Sequence, residues 1–283
     1  MTSDLVGDDE VRGYYDTAAR REAHRLSTPD DGTIELALHA RAFEEHLPPS
    51  PTRVLDLGGG PGTWSLWLAE RGYQVTLGDL SPALLTIARE RIGEADPDVA
   101  ARVEAVDEVD ARGLSRYPDD SFDAVLCLGP FYHLDAGGRD QAANELRRVL
   151  RPGGVLAVAL MPRYMRLVST VLERGSEAFD SGLVSRIVEC GAYDDERPGR
   201  FTGARLVRPE DVVEFFASHG FTTRRLMASQ GVLGWVQGDV AALAERDPDA
   251  HRRLLDIAYE TADDPSVLGM AGHLLYVGTN NDA

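Results

Sequence analysis

The feature that most constrains this chain is an apolar run, Val54–Leu57, that breaks into a glycine-rich loop at residues 58–62. Glycines permit backbone angles that residues with a Cβ rarely adopt, and they leave room for a ligand to approach the main chain. A second apolar run ends in an acidic residue, Asp79, twenty-three residues after Asp56. Together these features predict an α/β sheet that binds a nucleotide-like ligand at the loop.

Strand and helix patterns alternate after residue 52, which is typical of a parallel sheet covered by helices on both faces. Two helical patterns, 9–26 and 31–47, precede the sheet, and two long segments interrupt the alternation later. We therefore predict an N-terminal helical cap over 1–50 and an α/β domain over 51–283 with cap insertions at 161–208 and 230–272. Strands are predicted at 53–57, 74–78, 102–106, 122–128, 155–160, 221–227 and 273–277, and helices between the middle strands at about 62–71, 82–92 and 140–150.

Composition excludes several functions. The net charge is −18, which disfavours nucleic acid because phosphate backbones are held by clustered cations. All 29 basic residues are arginine, so Schiff-base chemistry and a P-loop lysine are excluded. The N-terminal residues show no secretory signal and no apolar run is long enough to span a bilayer, so we expect a cytoplasmic protein without a membrane partner. The two cysteines, Cys127 and Cys190, form neither a disulfide framework nor a zinc spacing.

Five motifs occur in an order that points to one family. They are LDLGGGPG from Leu55, LGDLSP from Leu77, DARGL from Asp110, DDSFDAVLCLGPFYHL from Asp119 and LRPGG from Leu150. In these segments the chain resembles the class I S-adenosylmethionine-dependent methyltransferases, in particular their bacterial small-molecule branch. The resemblance implies a seven-stranded, mostly parallel, doubly wound sheet with an antiparallel last strand. It also implies S-adenosylmethionine as cofactor and methyl transfer to an O, N or C nucleophile of a small metabolite, as in secondary metabolism.

The same resemblance assigns cofactor contacts residue by residue. Asp56 and the glycine loop are expected around the methionine end of the cofactor, and Asp79 at its ribose hydroxyls. Asp110 is expected to read the adenine amino group, with Asp107 as the alternative acid. The full predicted set of cofactor-binding residues is Tyr15, Asp56, Gly58, Gly60, Gly62, Asp79, Leu80, Asp110, Ala111 and Leu128.

Two histidines are candidate general bases, because imidazole takes up a proton near neutral pH. His133 follows the fourth strand, and His273 lies at the start of the last strand, which would place it at the ligand-binding edge if that strand is antiparallel. Packing or capping roles for both remain open. The other histidines, at positions 24, 39, 46, 219 and 251, are interpreted as helix-surface residues. Acceptor contacts are predicted for Tyr14, Phe131, Tyr132, Met161, Arg163 and Tyr164.

The chain differs from the motifs of some related enzymes, and these differences disfavour some substrates and reactions. The run Gly129-Pro130-Phe131-Tyr132 lacks the polar first residue of methyltransferases that act on nucleobase or amide amines, so those substrates are disfavoured. No acidic pair with a neighbouring Asn predicts a metal site. A cofactor-binding fold that catalyses a non-methylating step, such as cyclisation or decarboxylation, and a non-catalytic binding module stay open as alternatives. A dinucleotide oxidoreductase is disfavoured by Thr63, which occupies the last position of the dinucleotide fingerprint. The chain is expected to act as a monomer or homodimer.

Overall fold

The computed structural model describes residues 8–25, 33–195 and 203–281. Seven strands form one sheet in the order β3-β2-β1-β4-β5-β7-β6, and only β7 runs antiparallel to its neighbours. The predicted seven-stranded, mostly parallel sheet is therefore confirmed. The strands are β1 Arg53–Leu57, β2 Gln74–Asp79, β3 Val103–Glu108, β4 Phe122–Cys127, β5 Leu150–Leu160, β6 Phe221–Ala228 and β7 Leu274–Asn280.

Helices cover both faces of this sheet and rise over one edge. In chain order they are α1 Asp8–Arg25, α2 Thr33–His46, α3 Thr63–Glu70, α4 Pro82–Glu94, α5 Pro97–Ala100, α6 Ala136–Val149, α7 Arg163–Arg174, α8 Glu177–Asp180, α9 Leu183–Cys190, α10 Pro209–Ser218, α11 Gln237–Arg246, α12 Pro248–Glu260 and α13 Pro265–Leu268. Short 3-10 turns lie at Pro130–Tyr132 and Gly231–Leu233, and a two-residue strand pair joins Ala192–Tyr193 to Ala204–Arg205.

The sheet is buried because its central strands are apolar on both faces, as in other parallel sheets. β1 is buried from Val54 to Leu57 and β4 from Ala124 to Cys127, and nearly all of these residues are apolar. One core lies against α6 and α10, where the rings of Phe216 and Tyr276 stack 4.0 Å apart. A second core lies on the opposite face and includes Leu38 of α2 and Leu68 of α3. These two cores hold the sheet rigid beneath its carboxyl edge.

Element boundaries differ from the predicted ones near the fourth and fifth strands. α6 begins at Ala136 instead of about residue 140, because the Asp135 side chain caps it by accepting from the Gly138 amide at 2.7 Å. β5 begins at Leu150 instead of Val155, because Leu150 pairs with Phe122 and the register shifts before Val155. The Arg-Pro-Gly-Gly segment thus lies inside an irregular strand instead of in a loop.

The cap segments gather at the edge where the parallel strands end. The insertion after β5 forms α7, α8, α9 and the short strand pair, and the insertion after β6 forms α11, α12 and α13. Helix α1 is attached to the same edge, since Asp16 accepts from the Ser81 hydroxyl at 2.5 Å and Arg12 pairs with Glu108. This places three chain segments around the carboxyl edge, where ligands bind in sheets of this kind.

Candidate active site

The glycine loop leaves β1 in a left-handed conformation. Gly58, Gly60 and Gly62 have φ values of 72°, 53° and 80°. A Cβ added at Gly58 would lie 2.4 Å from Cδ of Pro130, so the loop passes against the turn that follows β4. Asp56 lies beneath the loop at 1 % exposure and accepts from the Ser65 hydroxyl at 2.7 Å. Burial raises the pKa of Asp56 to about 6.

We expect Gly58→Ala to destabilise the fold through both strain and overlap. A left-handed residue with a Cβ costs about 1–2 kcal/mol, and the overlap with Pro130 adds roughly 1–3 kcal/mol. Gly153→Ala is the matched control, because Gly153 has a φ of 74° but no neighbour within 4 Å of an added Cβ. Urea unfolding should show the larger loss of unfolding free energy at position 58. Equal losses in the two variants would contradict the close approach.

The carboxylate of Asp79 closes the other side of the loop. It lies at the end of β2, is 9 % exposed, and burial raises its pKa. Its Oδ2 accepts from the Gly60 amide and its Oδ1 from the Ser81 amide, both at 2.8 Å. The Leu80 main chain also donates to this carboxylate, so about one of its roughly four lone-pair positions remains for a ligand hydroxyl.

Asp110 and Ala111 follow β3 and reach the same cavity. Arg112 donates to both oxygens of Asp110, through Nε at 3.0 and 3.1 Å and through Nη2 at 2.5 Å. Partial burial would raise the pKa of Asp110, but these hydrogen bonds hold it below its usual value. Asp107, the alternative acid, instead accepts from the Tyr117 hydroxyl at 3.0 Å and does not line the cavity.

A cavity of about 160 Å³ joins these groups. The structure brings ten of the predicted site residues to its wall, namely Tyr15, Gly58, Gly60, Asp79, Leu80, Asp110, Ala111, Leu128, Tyr132 and His133. Asp56 and Gly62 support the loop from behind it. The wall also contains Glu35 and His39 of α2, which the sequence did not indicate as site residues.

Several predicted acceptor contacts lie away from this wall. Phe131 is fully buried against Phe215 and Phe216, and Met161 is 2 % exposed in a cluster behind Tyr132. Tyr164 is 51 % exposed on α7. Tyr14 packs edge-on against Tyr15, with ring centroids 5.2 Å apart. Arg163 lines a second cavity instead and donates from Nη1 to the Val188 carbonyl at 2.9 Å.

His133 is held by two hydrogen bonds that fix its tautomer. Nδ1 lies 3.0 Å from the Gly203 carbonyl oxygen, which can only accept, so Nδ1 carries the proton. Nε2 therefore accepts from the Tyr15 hydroxyl at 2.9 Å. Burial lowers the pKa of His133 to about 4. His133 thus stays neutral near pH 7 and connects α1 to the β4 turn.

His273 has a different setting. It immediately precedes the antiparallel β7, and its Nδ1 lies 3.2 Å from Oε2 of Glu35. Gln230 donates to the same oxygen at 2.7 Å. Nε2 of His273 has no hydrogen-bond partner among the described residues, and the side chain is 23 % exposed. Tyr132, a cavity residue, has its ring 6.2 Å from the His273 ring.

The prediction that His39 lies on a helix surface was wrong. Its side chain is 2 % exposed, and Nε2 lies 2.8 Å from the Ser229 hydroxyl. The available signal was the spacing, because Glu35 and His39 are four residues apart in a helix and share a face with the core residues Leu38 and Ala42. A polar pair on an apolar face needs a buried partner, and only the folded chain brings Ser229 and Gln230, which follow β6, into contact with this pair.

Buried His39 predicts a pH-dependent stability. Burial lowers its pKa in the folded state to about 4, whereas the unfolded residue titrates near 6.5. Protons therefore bind preferentially to the unfolded chain, and stability falls as the pH drops from about 6.5 towards 4. We expect His39 to account for about 2 kcal/mol of the decline in unfolding free energy between roughly pH 7.5 and 5.

Urea unfolding at several pH values tests this. His39→Asn should flatten the decline, whatever its effect on stability at pH 7.5. His251→Asn, on the partly exposed face of α12, serves as the matched control and should keep the wild-type slope. A slope unchanged by His39→Asn would show that this histidine does not titrate differently on folding.

Known proteins resemble this chain in sequence. A family model described as a methyltransferase domain matches residues 54–154. The demethylmenaquinone methyltransferase of Thermus thermophilus is 32% identical over 211 residues, covering 72% of this chain and 90% of the relative. The chain belongs to the class I S-adenosylmethionine-dependent methyltransferases. The demethylmenaquinone methyltransferase of Deinococcus radiodurans is 31% identical to this methyltransferase, covering 70% of this chain and 79% of the relative.

Solved structures share the fold of this methyltransferase at lower identity. The cyclase SpnF superposes with a TM-score of 0.63 at 20% identity, covering 99% of this chain and 98% of its own. The 1,6-didemethyltoxoflavin N1-methyltransferase of Burkholderia thailandensis gives a TM-score of 0.59 at 14% identity, covering 100% of this chain and 94% of its own.

The cavity of this methyltransferase fits S-adenosylmethionine, its cofactor. At Gly60 an added Cβ would meet nothing closer than Leu84 at 3.9 Å, so the main chain there is open to a ligand. After its three main-chain hydrogen bonds, Asp79 keeps an acceptor position that suits a hydroxyl of this cofactor. Asp110 and Ala111 line the same cavity.

Within the described residues, no helix combines the length and apolar character needed to cross a bilayer. In residues 8–25, 33–195 and 203–281, no group of three His, Cys, Asp or Glu side chains is arranged to hold a metal ion.

Proposed function

We propose that this methyltransferase acts on an acidic hydroxyl, or on a carbon activated by one, in a small aromatic or quinol-like metabolite. The observation that carries the proposal is the Glu35–His273 pair beside the cofactor cavity, with the carboxylate 3.2 Å from Nδ1 of the imidazole. A general base contributes only when the acceptor must lose a proton. A histidine oriented by a carboxylate therefore favours an O–H acceptor over a neutral amine.

The hydrogen bonds at this pair support His273 as the base. A carboxylate accepts, so Glu35 fixes the Nδ1–H tautomer of His273 and stabilises the imidazolium that forms after proton uptake. Gln230 holds the carboxylate through its 2.7 Å hydrogen bond. Nε2 is left as the atom that takes the acceptor's proton. His133 is a weaker candidate, because both its nitrogens are engaged and burial lowers its pKa to about 4.

The remaining predicted residues take supporting roles in this proposal. Tyr132 forms the acceptor wall between the two histidines, and Phe131 and Met161 pack behind it. Tyr15, bonded to His133, closes the cavity from α1 and limits the entry of water. S-adenosylmethionine supplies an electrophilic methyl group on a sulfonium. The chain's contribution is then alignment, exclusion of water and removal of one proton.

Related methyltransferases act in quinone metabolism, as their names indicate, which supports this acceptor class. Demethylmenaquinone methyltransferases match most of the chain, and a ubiquinone biosynthesis O-methyltransferase of Xanthomonas axonopodis is 36% identical over 118 residues, covering 41% of this chain and 46% of the relative. Both names refer to quinone-related substrates of those proteins. For this chain the quinol-like acceptor is a proposal that rests on the base and on the aromatic wall.

A labelled-methyl screen tests the proposal. The purified protein is incubated with methyl-labelled S-adenosylmethionine and a panel of phenols, catechols, quinols and matched anilines, and the products are identified by mass spectrometry. We expect label on a hydroxyl oxygen or on the neighbouring ring carbon. Label only on neutral amines would contradict the proposed base.

A non-methylating step is the second candidate, because the cyclase SpnF matches 99% of this chain by fold. The same screen separates the two reactions. Tight binding of the cofactor with no labelled product in any arm, together with an isomerised or decarboxylated substrate, would favour the second candidate.

We further propose where the enzyme acts and with which partners. The charge of −18 and the free cysteines Cys127 and Cys190 support a reducing cytoplasm and the absence of a nucleic-acid partner. We propose a role in secondary metabolism, acting as a monomer or homodimer, with residues 1–50 and the insertions at 161–208 and 230–272 enclosing the acceptor. Light scattering of the purified chain tests the oligomeric state.

A further inference from the structure

A second cavity, of about 210 Å³, lies beside the active site on the other side of the Pro130–Tyr132 turn. Its walls come from α6, α7, the end of α9, the segment 205–207 and α10. Its volume is more than ten times the roughly 15 Å³ that one water requires, so a small polyatomic ligand has room. The wall combines apolar side chains, such as Phe131 and Phe215, with the guanidinium groups of Arg139, Arg163 and Arg205.

The wall of this cavity carries more positive than negative charge. Among the described residues, Asp211 on the exposed side of α10 is the single acidic residue of its wall. Within the described residues, none of the three arginines makes an ion pair, whereas Arg148 on the same helix as Arg139 pairs with both Glu145 and Asp119. Burial, and then the charge of Arg205, lower the pKa of Arg139 to about 10, and Asp135 only partly offsets this. Like charges are therefore crowded in a protein whose net charge is −18.

Hydrogen-bond donors also remain unused. Arg139 is occupied, since its Nε donates to the Phe131 carbonyl at 3.0 Å and its Nη2 to the Arg205 carbonyl at 2.5 Å. Arg163 uses Nη1 on Val188, but its Nε is buried with no partner in the described part of the chain. The guanidinium of Arg205 has no hydrogen-bond partner among the same residues. A buried donor without a partner is costly, so a ligand that accepts from it is favoured.

We propose that this cavity binds a small oxyanion, a phosphate or carboxylate group, between the guanidinium groups of Arg163 and Arg205. Planar guanidinium groups match such groups with paired hydrogen bonds, and the apolar wall strengthens the attraction by excluding water. Arg139 is the positioning residue, because it holds the carbonyl of Phe131 and the main chain of Arg205. The site is separate from the cofactor cavity and does not depend on the proposed methyl transfer.

The test measures anion binding to the full chain saturated with S-adenosylhomocysteine, so that the cofactor cavity is filled. Thermal unfolding is followed against sodium phosphate, sodium acetate and sodium chloride at equal ionic strength. We expect phosphate or acetate, but not chloride, to raise the unfolding temperature, since a ligand of the folded state stabilises it. Stabilisation by phosphate alone identifies a phosphate group, and comparable stabilisation by acetate identifies a carboxylate.

Substitution of the wall arginines tests whether the anion binds in this cavity. Arg163→Gln and Arg205→Gln should each weaken the apparent affinity for the stabilising anion by about tenfold or more, through the loss of a charge-assisted hydrogen bond. Arg252→Gln, whose side chain is 71 % exposed on α12, is the matched control and should bind as the wild type does. If Arg205→Gln does not fold, Arg163→Gln alone decides the question. Equal effects of all three salts, or full retention of anion binding in Arg163→Gln, would overturn the proposal.

Discussion

Replacing Asp79 by Asn is expected to weaken binding of S-adenosylmethionine and S-adenosylhomocysteine by roughly 100-fold. Both oxygens of Asp79 already accept from main-chain amides, at Gly60 and Ser81. An Asn amide nitrogen would therefore face an N–H donor in either orientation, and one acceptor for a ribose hydroxyl would be lost. Each hydrogen bond to a charged group contributes about 1.5–3 kcal/mol. The loss of one or two such hydrogen bonds therefore accounts for an affinity roughly 100-fold weaker. Isothermal titration calorimetry with S-adenosylhomocysteine measures it directly.

Asp107→Asn is the matched control for this substitution. Asp107 lies in the neighbouring strand β3 and makes its contacts with Tyr117 and Arg116, outside the cavity. Its replacement should change the affinity by less than about twofold. A similar loss in both variants would mean that the effect is electrostatic and general, whereas no loss in Asp79→Asn would exclude Asp79 from the cofactor site.

Replacing His273 by Asn is expected to lower kcat for an acidic acceptor by about 10²–10⁴, the usual contribution of a general base. The KM for S-adenosylmethionine should change little, because His273 does not line the cofactor cavity. Glu35→Gln should cause a smaller loss, since an amide can still hold the ring but no longer stabilises its positive charge.

A control variant and a more acidic acceptor distinguish a chemical role of His273 from a packing role. His251→Asn, on α12 and outside the cavity wall, should leave kcat unchanged. An acceptor with a more acidic hydroxyl should recover much of the activity of His273→Asn, because it reaches the reactive anion without help. If the variant loses activity equally on strongly and weakly acidic acceptors, His273 is structural and the base lies elsewhere.

Most of the residues predicted to bind the cofactor line the cavity, whereas most of those predicted to contact the acceptor do not. The loop after β1 and Asp79 are local features, because a strand end, a turn and a charged residue carry their positions in the order of the chain. Gly60, Asp79 and Asp110 accordingly reach one cavity. Acceptor residues were assigned from their position after strands four and five. That position does not fix the direction of a side chain, and Phe131 points into the core.

His39 and Glu35 illustrate the limit of local patterns. Their helix carries apolar residues at helical spacing, and a histidine or glutamate there is equally compatible with solvent. Only the packing of α2 against the segment that follows β6 places Ser229, Gln230 and His273 opposite them. These partners are about 190 residues or more away in the chain, so no spacing rule connects them.

The sequence by itself determined the sheet, the family and the cofactor of this protein. Those properties depend on strand periodicity and on one short loop whose glycines need left-handed angles. The tertiary structure decided which histidine has a carboxylate partner and which is buried, and it gathered three arginines from separate elements around one cavity. Burial and charge pairing are properties of neighbours in space. They arise only when distant segments pack together over the same edge of the sheet.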